Sequence, residues 1–403
     1  MRKLSRFIFL AFALLFIRYA FSVLVGYLLP TYIVEQDKVL LNESAFITGK
    51  KPNFRLSEIW GKGQSVYFSD IAINGYELGS DAPNLSIRSS LFPLYPTLIR
   101  VAYKILPIST NIELVYWIGA VLSTLFLGSA LFYLDKLMDL VWFHDEKKYM
   151  VYLLLLAFPG AFFFNLVYSE SLFLLLTVLL LYHLYRKNYI LASALLGLAA
   201  VTRAAGLILF IPFFLHVFLA ERYNKKFNLV SNNLLYLSLA LAPLLVFFYH
   251  LFEKTGSFLS AFKSYQHTLD FLFLPLGYFF DLFSQGSQQV LMTHSLNALI
   301  LLGALGLMVF SFVKIYLIFE GRSLEQTSLF IYGLVYVLIL SALGGNAMMF
   351  RYINVCLPAF MLPALFYNQS IRNSYLMGIL FTFLILQSMF FTLFITGIPV
   401  YGH

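Results

Sequence analysis

The side chains able to do chemistry in this sequence are few, and they are clustered. Tyr168-Ser169-Glu170-Ser171, Thr202-Arg203, Thr255-Gly256-Ser257 with Gln266 and His267, and Arg351-Tyr352 each border or interrupt an apolar run. A polar, aromatic stretch between Pro30 and Thr110 adds Glu58, Trp60, Gln64, Tyr67, Asp70, Tyr76, Asp81 and Arg88. Ionisable groups at membrane depth are expensive and ordinarily face a cavity or a partner. Several of them on one rim imply a site at the bilayer interface, suited to a substrate with a lipid tail and a charged head. Each cluster also has a plainer reading. Glu170 could be a helix N-terminal charge favoured by the dipole. Arg203 and Arg351 could snorkel to lipid phosphates, and Arg18, inside the first apolar run, could pair or snorkel. His267 and His294 lack metal-ligand spacing, so no metal site is expected. No phosphate-cradling loop, nucleophile elbow, zinc-protease or dinucleotide motif occurs in a credible context, and no cofactor is implied.

The elements that must position these residues follow from composition. Of 403 residues, 61% are hydrophobic and only 11% charged, and the mean hydropathy is +0.82. Apolar runs of roughly 17–25 residues recur along the chain, the length that crosses a hydrocarbon core about 30 Å thick. Backbone polar groups in lipid must be satisfied internally, and the alternating pattern of a barrel is missing, so the spans are helices. The expectation is an all-α polytopic membrane protein, residues 1–403 forming a single transmembrane domain with a long first loop at 30–110. About eleven spans are expected: Phe7–Leu29, Ile112–Leu134, Met150–Val167, Ser171–Tyr185, Tyr189–Thr202, Ala205–Ala220, Leu234–Phe252, Val290–Phe319, Ser328–Leu343, Ile353–Tyr367 and Tyr375–Thr396. The first reads as a retained signal anchor, being longer than a signal-peptide core and lacking a small-residue cleavage site.

Threaded alternately from a cytoplasmic N-terminus, the inside segments collect most of the cations, among them Arg2, Lys3, Arg6, Lys136, Lys147, Lys148, Arg186, Lys187, Arg222, Lys225 and Lys226. The short outside segments hold only Arg203, Lys254, Lys263 and Arg351. This asymmetry is the positive-inside pattern, and it accounts for the formal charge of +8 without a nucleic-acid partner. It also puts every polar cluster named above on the non-cytoplasmic side. The mixed charges from Asp135 to Lys148 read as a solvated cytoplasmic loop. The single Cys356 lies in an apolar run and excludes an intrachain disulfide.

Within the first loop, Gln64-Ser65-Val66-Tyr67-Phe68-Ser69-Asp70-Ile71-Ala72-Ile73-Asn74 reads as a short amphipathic helix stopped by Gly75. The Pro-rich segment Phe92-Pro93-Leu94-Tyr95-Pro96 is expected to lie along the interface. The stretch Tyr67 to Tyr76, followed by Phe92 to Arg100, resembles the first luminal loop of the PIG-V mannosyltransferase family, of the GT-C class of polytopic glycosyltransferases. Tyr168–Phe173, Ala199–Gly206, Thr255–Phe262 with Gln266, and Arg351-Tyr352 ahead of Pro358 fit in order.

That resemblance implies a GT-C-like helical bundle. It also implies inverting transfer of a sugar, typically mannose, from a polyprenyl-phosphate carrier to an acceptor hydroxyl on the non-cytoplasmic face. The expected partners are that lipid-linked donor, membrane lipids and a glycan, lipid or protein acceptor, in a prokaryotic plasma membrane. A leaving phosphate is matched by the guanidinium groups of Arg203 and Arg351. The acceptor hydroxyl needs a carboxylate base, Asp70 or Glu58. Glu170, Tyr352, Gln266, Tyr67 and Tyr76 would line the sugar and acceptor pocket. The sequence departs from the family where an Asp normally follows Trp in the first loop: here Gln64 follows Gly63, and Gln cannot act as a base. The family's Gly-Asp-Pro is replaced by Gly256-Ser257-Phe258. Rival expectations are a non-catalytic GT-C-fold subunit or lipid-glycan binding protein, and a transporter of lipid-linked sugars.

Overall fold

The computed structural model describes residues 2–29, 31–35, 38–42, 55–76, 85–105, 111–141, 145–223, 231–258, 260–261, 303, 306, 324–342, 349–365 and 373–397. Gln266, Asp81, His267, His294 and nearly all of the span expected at Val290–Phe319 lie outside them.

The chain is an integral membrane protein folded as a helical bundle. Helix α1 (Arg2–Leu28) enters it and is followed by a two-stranded antiparallel hairpin, β1 (Thr31–Glu35) and β2 (Lys38–Asn42), with Glu35 opposite Lys38. This hairpin departs from the all-helical expectation. Its apolar runs are too short to span, and Ile33, Val34 and Val39 are β-branched residues that favour extended backbone. The remainder of the first loop contributes α2 (Leu56–Trp60), α3 (Gln64–Asn74), α4 (Leu85–Ser90) and α5 (Leu94–Ile105). As expected, α3 begins at Gln64 and is closed by Gly75, whose φ of 76° lets its N–H reach the Ile71 carbonyl.

The bundle continues with α6 (Ile112–Leu140), α7 (Asp145–Ala157), α8 (Glu170–Tyr185), α9 (Tyr189–Ala200), α10 (Phe210–Tyr223) and α11 (Ser231–Thr255). It is completed by α12 (Leu324–Ala342), α13 (Met349–Ile353), α14 (Leu357–Leu365) and α15 (Asn373–Thr396). Among the described residues, α1, α6, α11 and α15 are long and apolar enough to cross a membrane. Helix α6 is the hub, packing on α1, α5 and α8, while α15 packs on α1 and α7. Small residues allow the closest approaches, as expected where lipid supplies no hydrophobic drive between helices. A Cβ on Gly128 of α6 would sit 2.8 Å from the Cα of Ile8 in α1.

Three breaks in the helical backbone meet: one inside an expected span, one between two expected spans and one at the start of a third. Met150–Val167 is helical only to Ala157; Pro159-Gly160 stops it, and a 3-10 helix follows at Ala161–Asn165. Between α9 and a second 3-10 helix, Ala204–Leu209, Arg203 is fully extended at φ −155°, ψ 149°. The expected span Ile353–Tyr367 is helical only from Leu357, as α14; α13 precedes it and ends at Ile353, and Asn354 in the break donates through Nδ2 to the Gly160 carbonyl at 2.9 Å. Irregular backbone within a membrane bundle is tolerated only where protein surrounds it or it lines a cavity. Here each break carries one of the ionisable clusters.

At the opposite end of the bundle the sequence expectation is corrected. Asp135 to Lys148 is not a solvated loop: α6 runs on to Leu140, and Asp135 accepts Lys3 at 3.2 Å, Lys148 at 3.3 Å and the Tyr152 hydroxyl at 3.0 Å. One carboxylate thus staples the starts of α1 and α7 to the end of α6.

Candidate functional site

The site is built where the three interruptions converge beneath the first loop. Glu170 is the first residue of α8 and is completely buried. Its Oε1 accepts Arg203 Nη1 at 2.6 Å and also the Nε of Arg351, while Oε2 has no hydrogen-bond partner. The plain reading of Arg203 and Arg351 as snorkelling arginines is excluded by geometry, since both point inward to one acid; Glu170 does stand at the N-terminus of α8, and it is in addition ion-paired there. Arg351 spends a second nitrogen on Gln64, Nη2 donating to Oε1 at 2.7 Å. Arg203 Nη1 also reaches the Ser169 hydroxyl at 3.3 Å.

Aromatic rings hold the guanidinium groups flat. Arg351 lies over Tyr168 at 4.5 Å and Phe163 at 5.2 Å, and Arg203 over Tyr352 at 5.6 Å. Cation–π contacts of this kind strengthen when water is excluded. Tyr352 is half-buried and Arg203 and Arg351 are buried. Two guanidinium groups facing one carboxylate leave a net charge of about +1, and a second anion would balance it.

The first loop forms the roof. Gly63, at φ 56°, adopts a backbone conformation that side chains disfavour, and a Cβ there would meet the Tyr168 hydroxyl at 2.8 Å. The same hydroxyl donates to the Lys62 carbonyl at 3.0 Å. Lys62 in turn donates its ammonium to the Ile395 carbonyl at the end of α15, and burial lowers its pKa to about 8. The Gly61-Lys62-Gly63-Gln64 turn is thereby fixed to Tyr168, just ahead of α8, and to α13 and α15 at once. Beneath α3, Phe68 packs edge-on against Tyr95 at 5.2 Å, and Tyr95 shares a 2.7 Å hydrogen bond with Ser123 of α6.

Of the residues expected in the site, Glu170, Arg203, Arg351, Tyr352 and Gln64 come together. Asp70 lies six residues along α3, ion-paired with Arg88 and accepting Asn74 Nδ2 at 2.6 Å. Glu58 sits in the first turn of α2, next to Glu113, whose carboxylate accepts the Leu56 and Ser57 amides at 2.5 and 2.9 Å. Burial raises the Glu58 carboxyl above its ordinary pKa; Arg55 opposes the rise, and Glu113 adds a smaller push upward. Tyr67 is half-buried on α3. Tyr76 is buried away from the cluster; its hydroxyl is bonded to the Leu91 carbonyl and its ring lies 6.1 Å from Phe247 and from His250. It fastens the loop to α11 and does not line the arginine pair. Lys62, Phe163 and Tyr168 belong to the site as well, and no local pattern singles out Lys62 or Phe163.

The described residues form a polytopic membrane bundle with broken helices and a buried Arg–Glu–Arg cluster beneath the first loop. Among solved structures, the chain is similar to ArnT from Cupriavidus metallidurans, determined bound to undecaprenyl phosphate: TM-score 0.51 and 13% identity, covering 98% of this chain and 77% of that one. The likeness runs through nearly the whole chain and shows the shared fold. No protein-family model matches the sequence, and no curated protein matches it in a sequence comparison.

Proposed function

We propose that this protein is a membrane glycosyltransferase that moves a sugar, mannose by the resemblance of its first loop to the PIG-V family, from a polyprenyl-phosphate carrier to an acceptor hydroxyl on the non-cytoplasmic face. The observation that carries the reading is the convergence of Arg203 and Arg351 on a single oxygen of buried Glu170, in a fold shared with a protein crystallised with undecaprenyl phosphate. The surplus positive charge suits a phosphate, and guanidinium groups bind phosphate through paired donors. In the transfer, a carboxylate removes the acceptor proton and the acceptor oxygen attacks the anomeric carbon. The bond from that carbon to the phosphate oxygen breaks, and polyprenyl phosphate leaves with its charge held by the two arginines. Glu170 acts as the positioning residue that aims both guanidinium groups. Of the two candidate bases, Glu58 is the better, because burial raises its basicity while Asp70 is committed to Arg88.

One observation favours a second reading, a non-catalytic GT-C-fold subunit that binds a lipid-linked glycan. Gln64 replaces the acid expected there and spends its amide oxygen on Arg351. Turnover by purified, reconstituted protein with polyprenyl-phosphate-mannose and polyprenyl-phosphate-glucose decides between them. The transferase reading expects activity that falls about 100-fold in Arg203→Ala and Arg351→Ala and is abolished in Glu58→Gln or Asp70→Asn. A silent wild type with turnover appearing only in Gln64→Asp would establish the second reading.

A further inference from the structure

A separate cavity of about 640 Å³ lies between α1, α7, α15 and the Ala161–Asn165 turn. Its walls include Phe21, Leu153, Phe162, Leu384 and Phe391, and they carry one ionisable group, Arg18. Arg18 is only 6% exposed. Its Nη1 donates to Asn165 Oδ1, and Asn165 is itself held by the Thr124 hydroxyl at 2.9 Å, so the guanidinium is fixed in place. Its Nη2 is buried with no hydrogen-bond partner, and among the described residues no carboxylate forms an ion pair with it. The other polar walls are already committed: Gln387 donates to the Leu156 and Phe158 carbonyls at 3.2 and 2.8 Å, and Ser388 to Leu384 at 2.9 Å. A pre-positioned cation in an apolar chamber, lacking its counter-charge, is costly unless a ligand supplies one.

We infer that this cavity is a binding site for a long-chain carboxylate, a fatty acid whose acid group meets Arg18 and whose chain runs along α15. Three observations select that class. The cavity opens toward lipid, since Met377 and Phe381 on its wall are 65% and 66% exposed, so an occupant enters sideways from the hydrocarbon. Arg18 is ten residues from the end of α1, about 15 Å along the axis at 1.5 Å per residue. A phosphate head group is anchored by its charge and hydration near the interface, whereas a carboxylic acid reaches that depth un-ionised at modest cost and then ionises beside Arg18, its proton returning to the aqueous phase. Finally, one carboxylate balances the single charge that Arg18 places on the wall, and the remaining wall is apolar as an acyl chain requires. The occupant would lie one ring layer from the arginine cluster, because Phe162 stacks on Phe163 at 4.3 Å and Phe163 underlies Arg351.

The inference does not rest on the transferase reading, and its test measures binding without turnover. Purified full-length protein is photolabelled with a diazirine analogue of palmitic acid, in competition with palmitate, hexadecanol and phosphatidylglycerol. The expected result is saturable labelling of α1 or α15 peptides, displaced by palmitate and reduced about tenfold in Arg18→Gln, the loss of one charge-assisted contact. Leu384→Trp fills the chamber without touching Arg18 and is expected to abolish the same labelling. Displacement by hexadecanol as effective as by palmitate would remove the role of the charge. Preferential displacement by phosphatidylglycerol, or labelling indifferent to Leu384→Trp, would overturn the site.

Discussion

Arg351 Nη2 donates to the Gln64 side-chain oxygen at 2.7 Å, joining the roof of the site to a guanidinium that already holds Glu170. The contact makes the first loop an energetic part of the arginine cluster. Gln64→Ala is expected to lower stability by about 1 kcal/mol, the ordinary cost of one hydrogen bond, and to weaken donor binding because the turn is released. Gln64→Glu, which offers a carboxylate at the same reach, is expected to be no less stable, since hydrogen bonds to charged groups are stronger. Thermal unfolding in detergent and isothermal titration with the lipid-linked sugar check both.

Glu170 is the member whose loss is most damaging. Glu170→Gln leaves two buried guanidinium groups without a counter-charge, and removing one partner of a buried pair costs about 3–5 kcal/mol. The variant is expected to unfold many degrees below wild type. Arg203→Met, which removes one of two cations sharing the acid, is expected to cost less, because Arg351 still pairs with Glu170. The reverse order in thermal unfolding would show that the arginines are solvated and that Glu170 is not their common partner.

The sequence carried much of this arrangement, and the portions it hid have physical reasons. Apolar runs mark helices because lipid permits little else, so α11 and α15 are legible to within a few residues, whereas α1 begins earlier and α6 runs on further than their apolar runs, through charged turns. Glu170, Arg203 and Arg351 stood out because charge beside an apolar run is expensive. Their shared partner did not, since it depends on three breaks meeting in space. Pro159-Gly160 signals one break and Pro358, tolerated in the first turn of a helix, is consistent with a second, but that this second break meets the first depends on Asn354 reaching Gly160. Asp135 was misread because charges of both signs look alike whether solvated or paired; the decisive partner, Lys3, is 132 residues away. The β1–β2 hairpin was hidden inside a loop whose other described segments are helical.

The α1–α6 crossing offers a test of packing remote from the site. Gly128 leaves the Ile8 backbone in direct contact, so a side chain there must push the helices apart. Gly128→Leu is expected to destabilise by about 1–3 kcal/mol, the usual cost of overpacking, with Gly128→Ala intermediate. Because α1 also carries Arg18, the leucine variant is expected to disturb the Arg18–Asn165 contact as well, and cysteine crosslinking between α1 and α6 would report the separation.

Lys62 gives the protein a pH dependence of defined sign. Its side chain is half-buried in the roof, and desolvation lowers its pKa from 10.5 to about 8. Below that value both folded and unfolded chains hold the proton, and the fold bears the full cost of a half-buried cation. Between pH 8 and 10.5 the unfolded chain still binds a proton that the native protein has released, so stability rises with pH across that window and levels off above it. The shift of about 2.5 units sets an upper limit of about 3 kcal/mol on the gain. Lys62→Met removes the titrating group while keeping the apolar stem, and is expected to flatten the profile and to raise stability at pH 7. Urea unfolding at pH 7.5, 9 and 10.5, compared between the two proteins, measures the difference. A wild-type profile that falls across this window in parallel with the variant would show that the ammonium is solvated, and with it that the Gly61-Lys62-Gly63-Gln64 turn does not close over the arginine pair.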